Sequence, residues 1–293
     1  MFLKSLNLNL IAVLLLVLFN INTQTILAQD QEQYRIETRD GNIFTGTLVS
    51  EDDETVVLRV QGIGEVSILK ANIRTMVLLD HRRMRDGVYW HENPQATRYF
   101  FAPNAIGLGK GRGYYQNTWI LFNNVNYGVS DNFSVGGGIV PLFLFGVSAS
   151  PVWILPKVTV PISDDMFHLG AGAMIGGLIG STTEPLGLIY GVGTLGNRDN
   201  NLTIGLGYGY AGGEISQTPL INLSGMIRTG RRMYLLSENY FVTADGFSGI
   251  VSFGARWTTE NFAVDFGLFR PLEDAGGLIG VPWLGVTIPF GNR

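Results

Sequence analysis

No cysteine occurs among the 293 residues, so a disulfide framework and a thiolate-held metal are both excluded, as is a lipid-bearing cysteine behind a leader. Charge is scarce: Asp, Glu, Lys and Arg make up 15% of the chain, against about 25% in ordinary soluble domains. The net charge of −4 lacks the basic excess that a nucleic-acid partner demands. Beyond residue 28 no stretch of about 18 residues is apolar throughout, which excludes helical membrane spans. A surface so poor in charge calls for a non-aqueous neighbour, and in lipid the structure other than a helix that satisfies every backbone group is a closed β-barrel.

The chain opens with Lys4, an apolar run from Leu10 to Phe19, and a polar stretch closing in ILAQD at Ile26 to Asp30. That is the layout of a secretory leader. Ten helical residues rise only about 15 Å, roughly half of a bilayer core. Residues 1–28 are therefore expected to be a signal peptide cleaved after Ala28.

Residues 30–80 differ in chemistry from the rest, with ten acids and five bases. YRIETRDG, NIFTGTLVS, ETVVLRV, EVSILK and IRTMVLL read as five short strands, with a hairpin signal at Asp40-Gly41 and an acidic turn over Glu51 to Glu54. The pattern DG-x-x-F-x-G-x-L (Asp40 to Leu48), an apolar strand and a late Ile73-Arg74-x-Met76 resemble the Sm-like and SH3-like small barrels. That resemblance covers about fifty residues and implies a five-stranded module that binds RNA, peptide or protein; the acid excess argues against RNA. Residues 81–96 read as a linker, where Arg82, Arg83 and Arg85 beside Tyr89 and Trp90 are candidates for contact with anionic lipid head groups.

From Thr97 to the C-terminus the texture becomes segments of about ten residues, rich in glycine, aromatic and β-branched residues. Tight turns fall at Ser130-Asp131-Asn132, Ser163-Asp164-Asp165, 197–200, 229–231 and Thr259-Glu260. Measured between Asp131, Asp164, Asp199, Arg231 and Glu260 the spacings are 33, 35, 32 and 29 residues, one up-and-down strand pair each. Longer connections lie between them at 109–115, 145–150, 178–185, 211–219, 242–247 and 271–279. Eleven connections join twelve strands over 97–293. Short turns on one side and longer loops on the other resemble the outer-membrane β-barrel proteins of Gram-negative type, which implies a periplasmic side for the tight turns, the chain ends and residues 30–80.

Alternation assigns the two faces. Phe262, Val264, Phe266 and Leu268 oppose Asp265 and Gly267; Leu202, Ile204, Leu206, Tyr208 and Tyr210 oppose Thr203, Gly205, Gly207 and Gly209; Leu284, Val286, Ile288 and Phe290 oppose Trp283, Gly285 and Thr287. A charge facing lipid near the midplane costs about 2–4 kcal/mol, so Lys157, Arg228, Arg256 and Asp265, on the other parity, are candidate lumen-facing charges. Whether they line an aqueous path or pair and plug it is left open by the sequence, and Glu238 has no clear side. Pro156, flanked by Pro141, Pro151 and Pro161, is expected to disturb the fourth strand.

Chemistry is thin. Of the three histidines, His81 and His91 fall in the linker and His168 follows a tight turn, away from the outer leaflet where a barrel hydrolase would work. Asp52-Asp53-Glu54 reads as a solvated turn rather than a metal site, and the glycine-rich run Gly109 to Gly113, expected in an outer loop, has no helix behind it to hold a phosphate; its Lys110 and Arg112 could meet lipopolysaccharide. No cofactor or catalytic residue is expected. The functional readings are an outer-membrane anchor or adaptor barrel carrying a periplasmic module with a protein or peptide partner, then a pore or small-solute transporter, then, distantly, a lipid-modifying enzyme.

Overall fold

The computed structural model describes residues 32–80, 83–85, 88–163, 165–181, 184–243, 248–272 and 279–292. The expected signal peptide lies outside the described residues. The chain divides into two compact units, Met1–Tyr89 and Trp90–Arg293, and among the described residues neither contains an α-helix.

In the first unit, β1 (Gln33–Thr38), β2 (Ile43–Glu51), β3 (Thr55–Val60), β4 (Gly64–Leu69) and β5 (Ile73–Leu78) form one antiparallel sheet in the order β4-β3-β2-β1-β5. A single 3-10 turn, Lys70–Asn72, carries the chain from one edge strand to the other, so the sheet is strongly curled around Ile36, Val56, Leu58 and Ile68. Gly46 permits that curl: a Cβ there would sit 2.4 Å from the Arg59 carbonyl oxygen. The acidic turn is built on Asp52, which accepts from the backbone N–H groups of Thr55 and Glu54 at 2.6 and 2.9 Å and from the Thr55 hydroxyl at 2.9 Å. The stretch expected as a plain linker begins with a two-strand hairpin, β6 (Met84–Arg85) and β7 (Val88–Tyr89).

The second unit is a closed antiparallel barrel of twelve strands. They are β8 (Arg112–Thr118), β9 (Phe122–Gly128), β10 (Phe133–Ile139), β11 (Ser150–Ser163), β12 (Phe167–Ile179), β13 (Leu186–Gly196), β14 (Asn201–Ala211), β15 (Glu214–Arg228), β16 (Met233–Val242), β17 (Ser248–Thr258), β18 (Ala263–Pro271) and β19 (Val281–Gly291). Each pairs with its chain neighbours, and β19 returns to β8 from Gly285↔Thr118 to Gly291↔Arg112.

The twelve strands are not the twelve expected from the turns. Thr97 to Leu108 was expected as the first strand, yet Arg98, Tyr99 and Phe100 are all buried in succession, where a barrel strand would leave every second residue outside. The missing strand comes from a hairpin inside the expected second one. Thr118 pairs with Phe122 across a turn whose residues Trp119 and Ile120 both have left-handed φ, 49° and 67°. That is the conformation usually supplied by Asn-Gly or Asp-Gly, so no composition signal marks it. The expected loop 211–219 is likewise a tight turn at Gly212-Gly213 (φ 59° and 79°), with β15 beginning at once. At Pro156 the pairing to β12 lapses for two residues while the register holds, and a true register shift lies further on, between Pro161 and Ser163.

Parity holds round the wall. On β14, Leu202, Ile204 and Leu206 are 47–63% exposed outward while Thr203 is wholly buried; on β19, Leu284, Val286 and Ile288 face out and Trp283 and Thr287 in.

In the isolated 29–89 unit, Leu58→Ala is expected to cost about 2–5 kcal/mol, the range for emptying a buried leucine site, measured by denaturant unfolding. The N–H groups of Thr55 and then Glu54 hold the Asp52 carboxyl below its ordinary value of 3.8, so its contribution is present above that value and fades as the pH falls through the lowered one. The stability gap between wild type and Asp52→Asn should therefore close at acid pH.

Candidate lumen site and its occluding segment

A twelve-stranded barrel is wider than the eight strands whose interior side chains alone can fill. Here the extra space is taken by the chain itself. Residues 93–108 run into the lumen and back as a hairpin, joined by Asn104 N–H to Thr97 O (3.1 Å), by Tyr99 N–H to Ala102 O (3.0 Å) and by an isolated bridge between Arg98 and Pro103. Both ends lie at the tight-turn end of the barrel. Arg228, beside the 229–231 turn, donates to the His91 carbonyl at 3.0 Å and stacks on the Trp90 ring at 4.8 Å, and the Lys110 N–H donates to Asp131 at 3.0 Å. The run 109–113 therefore sits at the tight-turn end and not in an outer loop, and Arg112 pairs there with Glu92.

The buried charged residues of the wall strands, Lys157, Arg228, Glu238, Arg256 and Asp265, grip this insert or the segment leading to it, Asp265 through Arg256. Arg256 on β17 and Asp265 on β18 are register partners and form a two-pronged pair, Nε to Oδ1 at 2.6 Å and Nη2 to Oδ2 at 2.9 Å. The remaining Arg256 protons reach the Tyr99 carbonyl at 2.6 Å and the Gln95 carbonyl at 2.8 Å. Arg256 and Asp265 are 0% and 1% exposed, and a buried pair of this kind is tolerable because every donor finds an acceptor. Lys157 on β11 spreads its ammonium over three insert carbonyls, Thr97, Asn104 and Ile106, at 3.2–3.3 Å. Arg228 pairs with Asp199 at 3.0 Å.

Glu238, which the sequence left without a side, is wholly buried on the inner face of β16. One carboxylate oxygen accepts the N–H groups of Phe101 and Ala102, both at 2.9 Å, at the tip of the insert, and the other accepts the Tyr240 hydroxyl at 2.8 Å. Uncharged anchors add to these: the Tyr99 hydroxyl lies 2.7 Å from both Asn201 and Thr203, and the Ala105 N–H donates to Thr194 at 2.8 Å. Above the tip, Phe100, Phe269, Trp283, Trp119, Phe122 and Trp153 follow one another at ring-centroid spacings of 5.0–6.3 Å, lining one side of the lumen toward the long loops.

Other sequence candidates are placed as follows. Arg82 lies outside the described residues; Arg83 and Arg85 belong to the first unit, Arg85 on β6. His168, on β12, has a buried Nε2 without a hydrogen-bond partner, so no carboxylate or serine is set against that nitrogen. Among the described residues no group of three His, Cys, Asp or Glu could hold a metal ion. The insert itself, with Arg98 and Glu238, is the part that sequence reasoning missed. The one available signal was that 97–108 mixes Arg98, Pro103 and Asn104 among apolar residues without alternation.

No family model matches the chain, and no curated protein matches it. Solved structures that resemble it are outer-membrane porins and related barrels. The "KdgM porin" is 5% identical, with a TM-score of 0.46 over 62% of this chain and 99% of that one. The "NanC porin" is 10% identical, with 0.40 over 62% and 98%. OprD of Pseudomonas aeruginosa is 11% identical, with 0.35 over 89% and 94%. The class defined by the fold is a closed antiparallel β-barrel of twelve strands with a segment of its own chain inside it.

Arg256→Met leaves Asp265 buried without its partner and is expected to destabilise the folded barrel by about 3–5 kcal/mol, read from urea unfolding in lipid. Replacing both residues, Arg256→Met with Asp265→Leu, should recover most of that loss, because the stranded charge is gone.

Proposed function

We propose that the protein is an outer-membrane barrel of the transport class, held shut at rest by its own residues 93–108. The observation that supports this most directly is that the lumen is blocked by a segment that is no part of the wall. A barrel serving only as an anchor could be filled by strand side chains at eight strands. This one has twelve, and the insert that closes it is attached through an apolar cluster around Tyr99 and Phe100 and through polar side chains and carbonyls whose bonds can be exchanged for bonds to water. Displacing the insert would leave Lys157, Arg256, Asp265 and Glu238 lining a polar passage.

The membrane location rests on the apolar outer belt and on strands such as β13, β14, β17 and β19, each 11 residues long, the length a tilted strand needs to cross a bilayer. The turns at 130–132, 197–200, 229–231 and 259–260 and both barrel ends would be periplasmic. The chain reaches the insert from that end, which supports a periplasmic place for residues 30–80, where they would bind a protein or peptide that could act on the insert. Arg82, Arg83 and Arg85 would meet anionic head groups of the inner face of that membrane. A second reading, a permanently closed anchor for the 30–80 module, draws on the completeness of the Arg256 and Glu238 hydrogen bonding.

Planar-bilayer recording separates the two readings. The full chain should be silent or nearly so, and a chain in which 93–108 is replaced by a Gly/Ser linker should show steady ion conductance. A folded deletion variant as silent as wild type would leave the anchor reading standing and the transport reading overturned.

A further inference from the structure

We propose that the part of the lumen left open by the insert is a binding site for a small amphiphilic carboxylate. A cavity of about 90 Å³ lies between the insert and the walls of β8 to β16. At roughly 10–15 Å³ per water-sized site, that is room for about six to nine non-hydrogen atoms. Its apolar side is formed by Leu155, Met174, Leu188, Val192 and Leu220. The space exists because β14 presents glycine there: a Cβ on Gly207 would come 3.1 Å from Leu188 Cδ1, and one on Gly205 would come 3.1 Å from Val192 Cγ1.

The polar side is short of acceptors. Arg98, only 6% exposed, donates to Gln116 at 3.2 Å and Asn126 at 3.0 Å and lies against the Tyr114 ring, all of them neutral groups. Its Nε is buried without a partner, and so is Nδ2 of Asn126 beside it; both residues line the cavity. Lys157, in the same lining, is bonded to carbonyls alone. Glu238, bonded to Tyr240 of the cavity wall, already accepts three hydrogen bonds from that hydroxyl and the insert backbone. Two cations with neutral partners line one small space, and two buried donors on its lining residues, Arg98 Nε and Asn126 Nδ2, lack an acceptor; this leaves a deficit that a carboxylate fills with its two oxygens. Mostly hydrocarbon walls select an alkyl or aryl tail and disfavour a hydroxylated one, whose hydroxyls would be left unpaired.

The inference takes from the preceding reading only that this is the interior of a membrane barrel. It needs no conductance, so the two tests fail separately. Equilibrium dialysis of labelled hexanoate, which has eight non-hydrogen atoms, against the full folded chain in non-ionic micelles measures it, with empty micelles as the blank. Saturable binding at one site is expected, at least tenfold tighter than for hexanol or gluconate. Arg98→Gln should weaken it at least tenfold, and Leu188→Trp, which fills the apolar side, should remove it, with both variants keeping the heat-modifiable gel mobility of a folded barrel. If Arg98→Gln unfolds, Leu188→Trp alone decides. Absence of saturable binding to the folded wild type, binding that survives the folded variants, or equal binding of hexanol would each overturn the proposal.

Discussion

The hydrogen-bond ladder between β19 and β8 is the constraint from which the other features follow, because a sheet bathed in hydrocarbon cannot leave an edge unpaired. Seven residue pairs close it, from Gly285↔Thr118 to Gly291↔Arg112. Closure at twelve strands sets the width of the lumen, and closure with strict alternation sends every wall charge named above inward. Once those charges are inside, each must find a partner in a space with little water, and the chain meets that demand with its own backbone. Arg256 and Lys157 take insert carbonyls; Glu238 takes insert N–H groups.

This makes the insert and the wall electrostatically interdependent. The hairpin at 93–108 has few backbone bonds of its own and would not hold its shape outside the barrel, where water would compete for every exposed group. The wall without the hairpin would hold a buried acid and a buried base with their remaining lone pairs and protons unsatisfied, unless water entered. The closed state rests on both kinds of contact: polar ones, for which water can substitute at modest cost, and an apolar cluster in which Tyr99, Phe100 and Ala102 of the insert pack on Met226, Tyr234, Leu236 and Trp283 of the wall.

How much of this was legible beforehand depends on which residue is asked about. The outward series on β14, β18 and β19 could be read directly, since Leu202, Ile204, Phe266 and Leu284 alternate without interruption and period two has no other cause in a barrel. The five short strands of the first unit were readable from Asp40-Gly41 and the apolar runs around it. The total of twelve strands came out of two compensating errors, an insert taken for a strand and a hairpin without turn residues at Trp119-Ile120. The insert is hidden because a segment buried on all sides by a surrounding wall has no periodic pattern of its own. Its identity is written in the wall residues that contact it, as in Glu238, whose role cannot be inferred until Phe101 and Ala102 are known to face it.

The central claim, that 93–108 occupies the lumen, can be tested with a single cross-link, since the chain has no cysteine of its own. A Cβ built on Gly170 of β12 lies 3.3 Å from the Ala105 Cα, so the two positions are in direct contact at the lumen wall. In the doubly substituted chain, Ala105→Cys with Gly170→Cys, folded into lipid without reductant, the expected result is an intrachain disulfide and no labelling by a thiol-reactive maleimide. Two thiols that both label in the folded barrel would contradict it.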